Sequence, residues 1–411
     1  MTRVSKLDSG LTIVSAEMPY SASVSIGVFV KVGSRDESGS QYGASHFLEH
    51  LIFKGTESLS ARDLAVAVDS FGGEMNAFTT KETTSFQLRL LDEAVEIGID
   101  ILGQILTAPA LRPLDIDSER SVILEEIAMA SDEPADLVQE MLASVIYNGH
   151  PLGREVLGSR ESIISMDRAT IDRFFRTYYG SRNMVIAAAG HVDHNLLTEK
   201  FQGVFASLQG GKSLHRLQPI PKFGPAKIVE RDIEQVHVAL GFRGISRSDP
   251  RRWELAILDQ LLGGGISSRL FQVVREDHGL CYSIYSDHVA FGDSGYMEVY
   301  FATNPGQVES SLQLIDLVVK DLVSRGVTEE ELAVAKRYLR AQLLLSTDDS
   351  GSVMSRIGSR LTWGREPSSI AEMLAEIESV SRAGVNHLAE ELLGSDMQIC
   401  VVGPIGSDHL V

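Results

Sequence analysis

The sequence predicts an α+β fold built as two homologous domains, each a mainly antiparallel sheet flanked by helices. Three observations lead there. An apolar strand closed by glycine occurs twice, at 183–190 and 396–403, and both 396 − 183 and 403 − 190 give 213. Runs of strand-like and helix-like residues follow one another in blocks, not in strict strand–helix–strand alternation, which favours α+β layers. At 411 residues the chain is also too long for one ordinary core.

Along the first half, 11–14 reads as a strand and 24–32 as a β-branched strand. A helix is predicted around 46–53, a β-rich stretch over 73–91 and a helical pattern over 92–106, before the closing strand 183–190. The segment 209–225 is rich in Gly, Lys and Pro and reads as a linker. It divides an N-terminal domain, 1–210, from a C-terminal domain, 225–411, with 211–224 between them. The second half repeats the order: a strand at 236–242, a helix at 253–262, a β-rich stretch at 282–303, a helix at 307–322 and the strand 396–403.

Composition narrows the function classes. The uncharged stretch from Pro19 to Val30 has 12 residues, short of the roughly 20 that cross a bilayer. No membrane association is expected. Acidic residues exceed basic ones by 56 − 37 = 19, so no positive field draws phosphates in and no nucleic-acid partner is expected. The same charge would suit a basic peptide substrate. Cys281 and Cys400 both sit in apolar, strand-like runs and read as buried free thiols. The opening Met1-Thr2-Arg3-Val4-Ser5-Lys6 has no apolar signal region, so a cytoplasmic location is expected.

The chemistry concentrates in Gly43-Ala44-Ser45-His46-Phe47-Leu48-Glu49-His50-Leu51-Ile52-Phe53. Successive helical residues turn by about 100°, so His46 and His50 share a face one turn apart and can reach one metal ion. Glu49 edges the same face and could take a proton from water. This is the H-x-x-E-H order found in a class of zinc peptidases. Catalytic zinc takes three protein ligands and keeps one position open, so a third donor must come from elsewhere. The best source is the helix-like Glu119-Arg120-Ser121-Val122-Ile123-Leu124-Glu125-Glu126-Ile127, with Val122, Ile123 and Ile127 expected to face inward. Seven residues turn about 700°, which puts Glu119 and Glu126 on one face; one could ligate while the other orients water or ligands. Taken alone, two histidines four apart more often decorate a surface or a core, and paired glutamates more often mark a solvated helix face.

The run His46-Phe47-Leu48-Glu49-His50-Leu51-Ile52-Phe53-Lys54-Gly55-Thr56 resembles the zinc motif of the pitrilysin/insulinase metallopeptidases, within the bacterial subfamily related to mitochondrial processing peptidase. The resemblance extends over nearly the whole chain. It implies one Zn2+ per chain, held by His46, His50 and, since 50 + 76 = 126, Glu126, with Glu49 as the base and Glu119 in support. It also implies that Asn76, Ala77 and Phe78 pair with substrate backbone, and that Arg275 and Tyr282 contact substrate and steady the reacting carbonyl. The glycine-rich run Leu262-Gly263-Gly264-Gly265-Ile266-Ser267-Ser268-Arg269-Leu270-Phe271 resembles the loop of the non-catalytic processing-peptidase subunit. One chain carrying both motifs implies a homodimer that closes a chamber around a peptide. Ile52 and Glu125 depart from common family choices without touching the chemistry. His150, His191 and His194 fall outside the ligand positions and read as loop or surface residues. The alternative is an inactive assembly subunit, although such members typically lack the intact motif kept here.

Overall fold

A computed structural model describes residues 2–406, which divide into two compact units. The first comprises the chain through Ala128, Arg154–Arg216 and Leu344–Ser369; the second comprises Met129–Gly153, Leu217–Leu343 and the chain from Ile370 onward. Each unit is an α+β body around one sheet.

In the first unit the strands are β1 (Thr2–Lys6), β2 (Thr12–Glu17), β3 (Ser23–Val30), β4 (Glu74–Thr79), β5 (Thr84–Leu91) and β6 (Met184–Gly190), in the spatial order β1-β2-β6-β3-β5-β4. Only β2 and β6 pair in parallel; the other pairings are antiparallel. Strand β3 is apolar on both faces because both are covered. Val24, Ile26, Val28 and Val30 enter the main core with Phe47, Leu48 and Leu51, while Phe29 faces Val353, Met354 and Ile357 on the opposite side.

In the second unit β7 (Lys227–Glu230), β8 (Val236–Arg243), β9 (Ser283–Ala290), β10 (Gly295–Thr303) and β11 (Gln398–Gly403) lie in the order β7-β11-β8-β10-β9. Strand β7 runs parallel to β11, and the rest are antiparallel. This is the first sheet again without a counterpart of β1. The faces repeat as well. Ala187 and Ala189 of β6 belong to the cluster with Met354, and 213 residues later Cys400 and Val402 belong to the cluster with Leu142 and Ile146.

The predicted strand at 24–32 ends at Val30, and 92–106 is a short 3-10 turn, Asp92–Ala94, leading into the helix Val95–Thr107. The β-rich stretches resolve into the hairpins β4–β5 and β9–β10. Segment 209–225 has no helix or strand, and one of the places where the chain passes between units, Arg216 to Leu217, falls inside it; the others lie outside it, since Met129–Gly153 belongs to the second unit and Leu344–Ser369 to the first. It is nonetheless pinned, since Arg216 Nη2 lies 2.7 Å from Asp36 Oδ2 and Nη1 lies 3.3 Å from Glu82 Oε1. Cys281 and Cys400 are free and buried. No helix among the described residues is long and apolar enough to cross a membrane.

Candidate metal centre

The helix Ala44–Ile52 buries Phe47, Leu48, Leu51 and Ile52 and so presents its histidine face to the interior of the site. Its first turn is held in an unusual way. The N-cap is Gly43, left-handed at φ 89°, and it has no side chain to accept the free N–H groups. Glu37 supplies the acceptor instead: Gly43 N donates to Oε2 and Ser45 N to Oε1, each at 2.7 Å. Burial pushes the Glu37 carboxyl up to about 8 against the pull of those N–H groups.

His46 and His50 meet edge to face, with ring centroids 4.7 Å apart. Each Nε2 lies 3.5 Å from the same oxygen, Glu126 Oε2. That is too long for a good N–H···O bond. It matches the separation of roughly 3.4 Å expected between two ligand atoms about 2.1 Å from a tetrahedral ion. His46 also carries a buried Nδ1 without a partner, and burial together with His50 lowers its pKa to about 4. It is therefore a neutral imidazole. A neutral, buried ring that makes no hydrogen bond suits ligation far better than an ion pair with Glu126. The residues fit a metal.

Behind His50, Glu119 Oε2 lies 2.9 Å from Nδ1, and its other oxygen takes Lys54 Nζ at 2.6 Å. A carboxylate on the far nitrogen fixes the ring and its tautomer, leaving Nε2 free to ligate. Both glutamates come from the helix Pro113–Asp132, whose inward stripe is Ile116, Glu119 and Ile123. Val122, predicted to face inward, is exposed instead, because the glutamates and Ile123 take that side.

These features meet in a chain with clear relatives. Residues 12–160 match the insulinase (peptidase family M16) profile, and 165–339 match that of the peptidase M16 inactive domain. An "uncharacterized zinc protease" of Streptomyces coelicolor is 40% identical over 98% of this chain and 90% of its own length. One of Bacillus subtilis is 34% identical over 97% of each. The chain belongs to the insulinase family of peptidases. Two solved structures share its fold. A peptidase M16 inactive domain from Pseudomonas fluorescens has a TM-score of 0.93 at 21% identity, covering 98% of both chains. A protease from Helicobacter pylori has a TM-score of 0.91 at 22% identity, covering 98% of this chain and 99% of its own.

In this insulinase-family chain Glu49 does not stand free. Thr79 Oγ1, at the end of β4, donates to Glu49 Oε2 at 2.6 Å. Burial raises the Glu49 carboxyl above its usual range; Thr79 and His50 offset part of that rise, and Glu126 adds to it. Asn76, Ala77 and Phe78 lie on the same strand, at the free edge of the sheet, with alternating exposure along it. Asn76 Oδ1 accepts from Ala77 N, and the Phe78 ring is exposed.

Arg275 and Tyr282 come together on the second unit. The guanidinium sits 5.1 Å from the Tyr282 ring centre and 4.5 Å from that of Phe271, and Tyr282 is 81% exposed. The glycine-rich run forms the turn between the helix Arg252–Leu262 and the π-wound Phe271–Asp277. His191 is exposed beside Asp92, and His150 bonds the Leu217 carbonyl. His194 departs from the surface reading. It is buried, because Ser5 and Ser15 satisfy its two ring nitrogens at 2.9 and 2.8 Å.

A second trio of potential ligands, Asp259, Asp287 and His288, is more open. There burial lowers the His288 pKa but Asp259 and Asp287 outweigh it and raise it overall, and with Nδ1 3.3 Å from Asp259 Oδ2 the contact reads as a hydrogen-bonded ion pair. Sequence reasoning passed over Glu37, Lys54 and Thr79. Lys54 follows His50 by one helical turn, a spacing that could have flagged it; the other two carry no local signal.

Proposed function

We propose that this chain is a zinc-dependent endopeptidase that hydrolyses peptides or unfolded protein segments. The observation that carries the reading is the convergence of His46 Nε2, His50 Nε2 and Glu126 Oε2 within 4.8 Å of one another, with Glu119 bracing His50 from behind. Zinc held by these three residues would polarise the scissile carbonyl and lower the pKa of water towards about 7. The Glu49 carboxylate takes the proton of the attacking water and returns it to the leaving amine. Strand β4 offers its free edge to an extended substrate, so main-chain pairing along Asn76, Ala77 and Phe78 binds many sequences with little side-chain demand. Arg275 and Tyr282 donate hydrogen bonds to substrate carbonyl oxygen as negative charge develops.

The family resemblance supports a homodimer in which the second half of one chain serves the metal-binding half of its partner and closes a chamber that admits only flexible chains. The acidic surface favours basic peptides. Two free, buried thiols fit a reducing cytoplasm.

The test is Glu49→Gln. This variant should hold zinc as tightly as the native protein while hydrolysis of a quenched peptide falls by several orders of magnitude. Zinc binding with undiminished hydrolysis would remove Glu49 from the role of base. Absence of zinc binding by the native protein would remove the function.

A further inference from the structure

We infer that Thr79 is a positioning residue that aims Glu49, and that it ties the base to the strand on which substrate is seated. The inference rests on the peptidase reading above. A glutamate side chain has several rotatable bonds, and a general base must be held within a few tenths of an ångström of its working geometry. The helix Ala44–Ile52 fixes only the backbone of Glu49. The hydrogen bond that fixes its carboxylate comes from outside that helix, from Thr79 Oγ1 to Oε2 at 2.6 Å. That length is characteristic of a hydroxyl donating to a charged oxygen.

The location of the donor gives the bond a second consequence. Thr79 is the last residue of β4, paired with Thr84 across the hairpin. Its own strand is the sheet edge, and Asn76, Ala77 and Phe78 immediately precede it. A peptide that pairs along β4 and the oxygen that activates its water are thus registered to one short piece of backbone. A shift of the edge strand on substrate binding reaches the Glu49 carboxylate through this hydroxyl. A valine in place of Thr79 keeps the shape and the β-branching of the side chain and removes only the donor.

The experiment compares the native protein with Thr79→Val, Thr79→Ser and Glu49→Gln in the zinc-loaded full chain. The readouts are kcat and KM on a quenched peptide, zinc affinity by chelator competition, and the thermal midpoint. Thr79→Val is expected to lower kcat by about ten- to a hundred-fold, with KM and zinc affinity within about two-fold of native. Thr79→Ser, which restores the hydroxyl, should recover kcat to within about three-fold. A Thr79→Val enzyme with native kcat overturns the inference while leaving the peptidase reading intact, provided Glu49→Gln is inactive. Equal losses in kcat, zinc affinity and thermal midpoint that serine does not rescue also overturn it, since they describe a merely structural threonine. Native protein that binds zinc but cleaves no peptide, or Glu49→Gln that remains fully active, fails the peptidase reading first and takes this inference with it.

Discussion

Glu298 lies on β10 between Tyr296 and Tyr300, 5% exposed, with Oε2 buried and without a hydrogen bond. Burial, followed by the nearby charges of Asp287, Asp259 and Glu140, raises its carboxyl from 4.5 to about 7. A carboxyl raised in this way binds its proton more tightly folded than unfolded. Its contribution to stability is therefore complete below about pH 4.5 and is lost as the pH rises through about 7. Glu298→Gln removes the ionisation and nearly preserves the shape. Between pH 5 and pH 8 the variant should gain on the native protein by on the order of 2–3 kcal/mol, read from urea unfolding at each pH. Parallel pH profiles for the two proteins would refute the assignment. Such an isolated group left no trace in the sequence, where Glu298 is one acidic residue among 56. Helical rotation made it legible that His46 and His50, and Glu119 and Glu126, share a face, and the family resemblance singled out Glu126 as the third ligand. That Thr79 and Glu37 would reach this helix was not legible: Thr79 comes from a strand 30 residues on, and Glu37, though only six residues before Gly43, reaches the helix only because the intervening turn folds back.

At the scale of elements, helix packing shows both what periodicity can predict and where it stops. The closing strands β6 and β11 announced themselves by composition, and their alternate residues do face opposite layers. The helices Pro134–Ile146 and Ser350–Thr362 are amphipathic, yet nothing in their pattern says which sheet each one covers. The first packs on β8 and β11, although it precedes the whole second half in sequence, and the second packs on β3 and β6. Each contact needs a small residue. A Cβ on Gly241 would lie 2.7 Å from Ile146 Cδ1, and one on Gly358 would lie 2.2 Å from Phe29 Cε2 and 2.8 Å from Ala187 Cβ. Gly358→Ala therefore sets two effects against each other. Alanine gains about 1 kcal/mol of helix propensity, whereas overpacking a closed core costs about 1–3 kcal/mol. Phe29 is fully buried and Ala187 sits on a central strand, so neither gives way easily. The variant should be destabilised by about 1–2 kcal/mol, with a lower thermal midpoint. A raised midpoint would mean that the layer is looser than these distances require.

For the whole molecule, the two sheets share one strand order apart from β1, and the His-His-Glu trio lies in the first unit. The second unit instead carries Arg275 and Tyr282 side by side, with Arg275 Nε 3.8 Å from Glu276 Oε1 and the Tyr282 ring exposed. If the proposed homodimer brings that pair to the metal site of the other chain, each site draws on two chains, and two different defects need not add. Chains carrying Glu49→Gln have an intact second half, while chains carrying Arg275→Ala with Tyr282→Phe have an intact metal half. Each homodimer should be nearly inactive. A mixed dimer holds one site with both halves intact and one with neither. Random pairing makes about half of the dimers mixed, each with half of its sites competent, so co-expression should restore about a quarter of native activity. The two chains can carry different affinity tags, so that the mixed species is isolated and its kcat per dimer read directly, with an expected value of about half the native one. The division of labour makes a sharp demand on that species. Full inactivity in a dimer that has bound zinc would mean that each chain serves its own site, and the assembly would then have to be explained by something other than catalysis.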